Sequence, residues 1–207
     1  MDKLGSSLLS QLVAWSATEA IAVFFAVCYL LLAIRQSIWC WFCAAVSTAI
    51  YVWLFLSAKL YMESLLNCFY FGMAIYGWYV WNAGDADGRV LPVRMFTLRI
   101  HLIAMSIIIL LVAVVGTWLS LNTDAAYPFI DSATTFAAIW ATFLVARKVL
   151  ENWWYWLAID LISIYIFWSR GLELSALLFF LYVLMIPFGL IKWSRSYEVS
   201  KLRPAPL

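Results

Sequence analysis

The sequence predicts an all-α integral membrane protein with seven transmembrane helices, laid out as two parallel three-helix repeats around a linker helix, a 3+1+3 plan. Three observations carry that prediction. Of the 207 residues 67% are hydrophobic and only 12% are charged, and mean hydropathy is +0.95, far outside the range of water-soluble domains. The apolar sequence divides into seven runs of about the 20 residues that a helix needs to cross a bilayer. Sliding residues 19–81 onto 131–193, a constant offset of 112 without gaps, aligns 15 identities in 63 positions, well above what composition alone gives. The net charge of +2 is too small to point to nucleic acid as a partner.

Taken in order, the spans are expected at 13–34, 38–58, 60–82, 98–121, 127–147, 150–169 and 172–193. The N-terminus has no basic region before its apolar run, with Lys3 beside Asp2, and no small-residue cleavage site, so no cleaved signal peptide is expected. Cys40-x-x-Cys43 in the second span has no second pair and no histidine to complete a zinc site, and Cys28 and Cys68 also fall in apolar segments; all four read as packing. The stretch 83–97, AGDADGRVLPVRMFT, is the one substantial polar loop, with Asp85, Asp87 and Gly88 as turn signals. The fourth span is rich in branched aliphatic residues, which assigns it to lipid or to a subunit interface; His101 near its start reads as an interfacial structural group. Pro187, close to Gly189 in the last span, has two open readings, a kink or a hinge.

The repeat period covers four spans, so both triplets enter the membrane in the same direction and the fourth span inverts the chain between them. This gives three units: 1–82, a loop and linker helix over 83–126, and 127–207 with a basic tail. Parallel repeats of this kind are the SWEET-like design, with substrate bound between the repeats near the bilayer midplane. Ten Lys and Arg fall on one side (Arg35, Arg89, Arg94, Arg99, Arg147, Lys148, Lys192, Arg195, Lys201, Arg203) and three on the other (Lys3, Lys59, Arg170). The richer side is expected to be cytoplasmic, which puts the N-terminus outside and the C-terminus inside. The tail KWSRSYEVSKLR then reads as an anchor to lipid headgroups.

One residue stands out chemically. Asp160 sits in the middle of the apolar run that follows ENWWYW, and a carboxylate at that depth costs about 2.5–3.5 kcal/mol to insert, so it needs a partner. The expected partner is a transported cation. Trp153, Trp156 and Asp160 share one helical face. Thr48, the repeat counterpart of Asp160, lies at the same depth as Tyr70 and its counterpart Tyr182. Asn67 shares a face with Tyr70 and is expected to orient the substrate by hydrogen bonding. Trp53, Trp140 and Trp156 are deep enough either to line a site with cation–π faces or to pack a core. Trp15, Trp39, Trp81, Trp154, Trp168 and Trp193 fit the aromatic belts at the two interfaces. Glu19 and Asp131 near the outer mouth either draw a cation inward or stabilise helix N-termini. No serine has a base beside it and no His, Asp or Cys cluster appears, so neither an enzyme nor a cofactor is expected.

Four stretches resemble a known family: IYGWYVW at 75–81, PFIDSAT at 128–134, RKVLENWWYW at 147–156, and Glu19. Together they are similar to the PnuC family of bacterial vitamin transporters over essentially the whole chain. The resemblance implies a homotrimer in the bacterial inner membrane that takes up an unphosphorylated vitamin by facilitated diffusion, with a cytosolic kinase trapping the product. Its nicotinamide riboside branch places amides at the positions of Ala45, Asn67, Ala74, Asp160 and Phe188, of which only Asn67 is an amide here. A ribose wants such donors and acceptors, so this departure favours a less hydroxylated aromatic cation, thiamine, with nicotinamide riboside as the alternative.

Overall fold

A computed structural model describes residues 17–57, 61–84, 90–124, 126–169 and 173–202. Among them are seven helices: α1 Ala17–Ile34, α2 Trp39–Ser57, α3 Tyr61–Ala83, α4 Leu98–Asn122, α5 Pro128–Ala146, α6 Asn152–Ser169 and α7 Glu173–Lys201. Trp15, Lys3, Lys59, Asp85, Asp87, Gly88, Arg89, Arg170 and Arg203 lie outside the described residues. Six helices match their expected spans closely. The seventh does not stop near 193: α7 runs through Pro187 and on to Lys201, because no further breaker occurs before Pro204. The basic segment is therefore a helical extension.

Five of these helices, α1, α2, α4, α5 and α7, are long and apolar enough to cross a membrane by length and composition. The other two, α3 and α6, carry polar groups that the packing accounts for. Ser64 and Asn67 on α3, and Asn152, Asp160 and Ser163 on α6, are buried inside the protein and not turned to the lipid. Polar groups in a span are tolerated where other helices cover them.

The helices associate as two triplets. Within the first, α2 packs on both α1 and α3; within the second, α6 packs on both α5 and α7. The triplets meet along two seams, α3 against α5 and α7 against α1, and α4 rests on α5. In the first triplet, buried hydroxyls bind the helices together: Ser47 donates to the Ala22 carbonyl (2.9 Å) and Ser64 to the Val52 carbonyl (3.1 Å).

The offset of 112 reappears in the backbone. After α1, Gln36 adopts a left-handed conformation (φ 56°); after α5, its counterpart Lys148 does the same (φ 49°). Ser37 N–H bonds Leu32 O and Gln36 N–H bonds Ala33 O, each at 2.9 Å; Val149 to Leu144 and Lys148 to Val145 repeat both bonds, also at 2.9 Å. This is a Schellman cap, usually built on glycine, made twice with a long side chain in the strained position.

Side chains repeat as well. The Trp41 ring lies so close to Gly77 that a Cβ there would fall 2.3 Å from it, and Trp153 meets Gly189 in the same way at 2.4 Å. Only a residue without Cβ admits the indole to the helix backbone. The four buried indoles form one chain across the seams: Trp41 on Trp81 at 5.5 Å, Trp81 on Trp193 at 6.3 Å, Trp193 on Trp153 at 5.6 Å. Trp81 and Trp193 were expected in interfacial belts, and both instead sit in the core. Each indole N–H crosses to the other triplet, Trp81 to Ala146 O and Trp193 to Ala33 O, both at 3.0 Å. Trp39, Trp154 and Trp168 are exposed, as a belt requires.

The 90–97 segment does more than connect. Arg94 N–H bonds Lys148 O (3.0 Å), Leu150 N–H bonds Arg94 O (2.9 Å) and Arg94 Nε donates to Arg147 O (3.1 Å), so the polar loop pairs at Arg94, through a single bridge, with the turn after α5.

Candidate substrate site

Asp160 projects from the buried face of α6 and is only 4% exposed. Among the described residues no hydrogen bond or ion pair reaches its carboxylate. It lines a partly open cavity of about 150 Å³ at the seam between α1 and the second triplet. Tyr29 and Ala33 of α1 form one wall, Asn152, Trp153 and Trp156 of α6 run alongside, and Phe179 and Tyr182 of α7 close the far side. Phe179 stacks on Phe167 at 5.2 Å and meets Tyr182 edge-on at 5.8 Å, which fixes the aromatic wall.

Of the residues singled out from the sequence, Asp160, Trp156 and Tyr182 therefore meet around one cavity. Tyr70 packs, as Trp156 does, against the cluster of Ala138, Ala141 and Ile159. Thr48 turns its hydroxyl back to its own helix, donating to Ala44 O at 2.8 Å. Asn67 is buried and likewise donates to a carbonyl of its own helix, Glu63 O, at 2.9 Å. Trp140 stacks on Phe143 at 5.6 Å, away from the cavity wall. Trp53 is 59% exposed on the outer surface. Glu19 stands in the first turn of α1 and Asp131 in the first turn of α5, both positions where a carboxylate meets the positive end of the helix dipole. None of these last residues lines the cavity.

Two cavity groups were not singled out. Asn152 is wholly buried; its amide N–H donates to Val149 O at 2.7 Å, and its Oδ1 has no partner. Tyr29 leans on Trp41, with ring centroids 6.0 Å apart. The only advance signal for Asn152 was its place in the ENW run. Tyr29 had none, since its counterpart is Ala141.

The two larger depressions have other chemistry. A groove of about 490 Å³ between α4, α5 and α6, past Met105, Ile109 and Trp154, has no charged side chain in its lining. His101 at its end is engaged, with Nδ1 3.0 Å from the Tyr155 hydroxyl and Nε2 3.4 Å from Glu151. A groove of about 680 Å³ between α1 and α7 carries three cations. Neither offers an anion to a positively charged solute.

An aromatic cavity holding an unpaired carboxylate, set in the seam of two repeated helix triplets, is an arrangement suited to a membrane transporter. The family described as "Nicotinamide mononucleotide transporter" matches residues 16–195, and the chain belongs to it. It is 25% identical over 182 residues to the nicotinamide riboside transporter PnuC of Escherichia coli K12, covering 75% of this chain and 76% of that one. It is 29% identical over 146 residues to the riboflavin/roseoflavin transporter RibM of Streptomyces davaonensis, covering 65% and 66%. The crystal structure of the vitamin B3 transporter PnuC shares its fold, with a TM-score of 0.70 over 95% of this chain and 88% of that one at 19% identity. The protein is thus a multi-pass B-vitamin transporter of the PnuC type and not an enzyme. Thiamine as the main substrate finds no support among these relatives, whose names carry nicotinamide riboside and riboflavin.

Of the positions in the amide tally that favoured thiamine, only Asp160 lines the cavity; Phe188 is 66% exposed and borders the cationic groove, and Ala74 and Ala45 pack in the hydrophobic core.

Proposed function

We propose that the protein carries nicotinamide riboside, with the cavity around Asp160 as its binding site. The observation that carries this reading is the unpaired, buried carboxylate in an aromatic wall. The pyridinium ring of the riboside is a permanent cation, for which Asp160 supplies the counter-charge and Trp156 and Phe179 the faces. A desolvated cation–π contact contributes up to about 2 kcal/mol. The ribose hydroxyls find an acceptor in Asn152 Oδ1 and hydroxyl partners in Tyr29 and Tyr182. Relatives named for nicotinamide riboside and a solved neighbour named for vitamin B3 favour this choice over riboflavin, which carries no cationic ring.

A cavity of about 150 Å³ is below the roughly 300–1,000 Å³ of sites that enclose whole small molecules, so loading requires the wall to open. In the mechanism offered here the repeats 1–82 and 127–207, joined through 83–126, rock against each other along the α1–α7 seam. Gly77, Gly189 and Pro187 are the points of give. Transport is facilitated diffusion, a cytosolic kinase traps the product, the chain assembles as a homotrimer, and its N-terminus faces outward, as the family resemblance and the distribution of Lys and Arg suggest.

The test is a binding titration of the purified protein with nicotinamide riboside, thiamine and riboflavin in parallel, followed by flux into liposomes. Nicotinamide riboside should bind tightest and cross saturably and unchanged. Tighter binding of thiamine or riboflavin would overturn the substrate, and chemical conversion of the vitamin without flux would overturn the site's role in transport.

A further inference from the structure

We infer that the groove between the turn after α1 and the C-terminal half of α7 is a binding site for one anionic phospholipid. Its polar lining is Arg35, Gln36, Lys192, Arg195 and Ser196, and its apolar lining is Phe188, Ile191 and Val199. Three cations thus share a groove of about 680 Å³ with no carboxylate in its lining. Among the described residues none of the three cationic side chains makes a hydrogen bond or an ion pair, and Glu198, the nearest acid along α7, is engaged by Lys201 at 3.8 Å.

The equivalent turn shows what such a position ordinarily receives. Arg147, the counterpart of Arg35, donates to the Tyr76 hydroxyl at 3.0 Å. Tyr76 corresponds to Phe188, which has no hydroxyl, so Arg35 has no such acceptor. The turn at 147–150 is also covered by the loop bridged to it at Arg94, whereas α7 continues past the turn at 35–38 and leaves the groove open. The counterparts of Lys192 and Arg195 are Val80 and Ala83, so the helix passing the second turn brings no cation to it, whereas α7 brings two to the first.

Depth selects the ligand. Lys192 follows Glu173, the first residue of α7, by 19 residues, about 28 Å at 1.5 Å per residue, close to the roughly 30 Å of a hydrocarbon core. The cations therefore stand at the headgroup level. Phe188 and Ile191, 66% and 53% exposed, lie one turn deeper, where an acyl chain runs. Basic pockets between spans at this level are suited to lipid phosphates. A soluble anion would use the cations and leave the apolar floor idle.

The experiment is native mass spectrometry of the full chain in detergent, titrated with phosphatidylglycerol or phosphatidylcholine, with thermal unfolding in inorganic phosphate as a separate arm. One phosphatidylglycerol should be retained in preference to phosphatidylcholine. Removing each cation should weaken it about fivefold, the equivalent of the surface contribution of one basic residue, and Arg35→Gln/Lys192→Gln/Arg195→Gln together on the order of a hundredfold. All three side chains are exposed, so the variant should stay monodisperse, and Arg99→Gln, an exposed cation outside the groove, should retain the lipid as the native chain does. Undiminished retention by the triple variant, or equal retention of phosphatidylcholine, would overturn the site. Equal stabilisation by inorganic phosphate would overturn the lipid as its occupant.

Discussion

The turn at 35–38 and the turn at 147–150 make the same five backbone hydrogen bonds and hold the same left-handed residue, yet their surroundings have diverged. At the second turn Lys148 is buried with its ammonium 4.4 Å from the Trp81 ring, Arg147 is held by Tyr76, and the loop at Arg94 is bridged to it. At the first turn Gln36 and Arg35 border an open cationic groove. The same divergence occurs deeper, where Asp160 lines the cavity and its counterpart Thr48 is satisfied within its own helix. What is conserved between the halves is the scaffold of caps, indoles and glycines. What differs is the polar chemistry attached to it.

The largest effects should come from the shared scaffold and be equal in the two halves. Trp41→Ala and Trp153→Ala each remove a buried indole seated on glycine and should cost about 3–5 kcal/mol, read as matching falls in the unfolding temperature; a large effect from only one would break the equivalence. Next comes the divergent pair. Asp160→Asn should weaken nicotinamide riboside about thirtyfold, near 2 kcal/mol, the low end for truncating one side of a desolvated charge pair, with assembly intact, whereas Thr48→Val should leave affinity within a fewfold. Unchanged binding in the first variant would remove Asp160 from the site.

Lys148 supplies a pH test that Gln36 cannot. Burial lowers its ammonium from the usual lysine range to about 8. Above that pH the folded chain has released a proton that the unfolded chain still holds, so stability should rise between about pH 8 and the ordinary lysine range. Lys148→Gln, which copies the other half, should abolish that rise in unfolding temperature against pH. The smallest effect concerns the seams. Trp81→Phe and Trp193→Phe each lose one indole hydrogen bond across the halves, about 1 kcal/mol apiece, and the two should agree closely in denaturation measurements.

Much of the fold was legible because its signals are local. Runs of apolar residues near 20 long marked every span, and the ungapped offset of 112 paired Gly77 with Gly189 and Trp41 with Trp153 before either contact was seen. Asp160 was legible for the same reason, since a charge inside such a run is a local anomaly. Trp81, Trp193, Asn152 and Tyr29 were not. An indole near a span end reads the same whether it faces headgroups or donates to Ala33 or Ala146 across a seam.

The sequence by itself determined seven spans, their duplication and one buried acid, because hydropathy and repetition are written along the chain. Only the tertiary structure decided which face of each helix points inward, and with it that Asn152 and Tyr29 join Asp160 while Trp53 faces outward. In water an apolar stripe betrays the inner face of a helix, but lipid is as apolar as a protein core. A span apolar all round gives no such stripe, so its rotation is fixed by the neighbours it packs against.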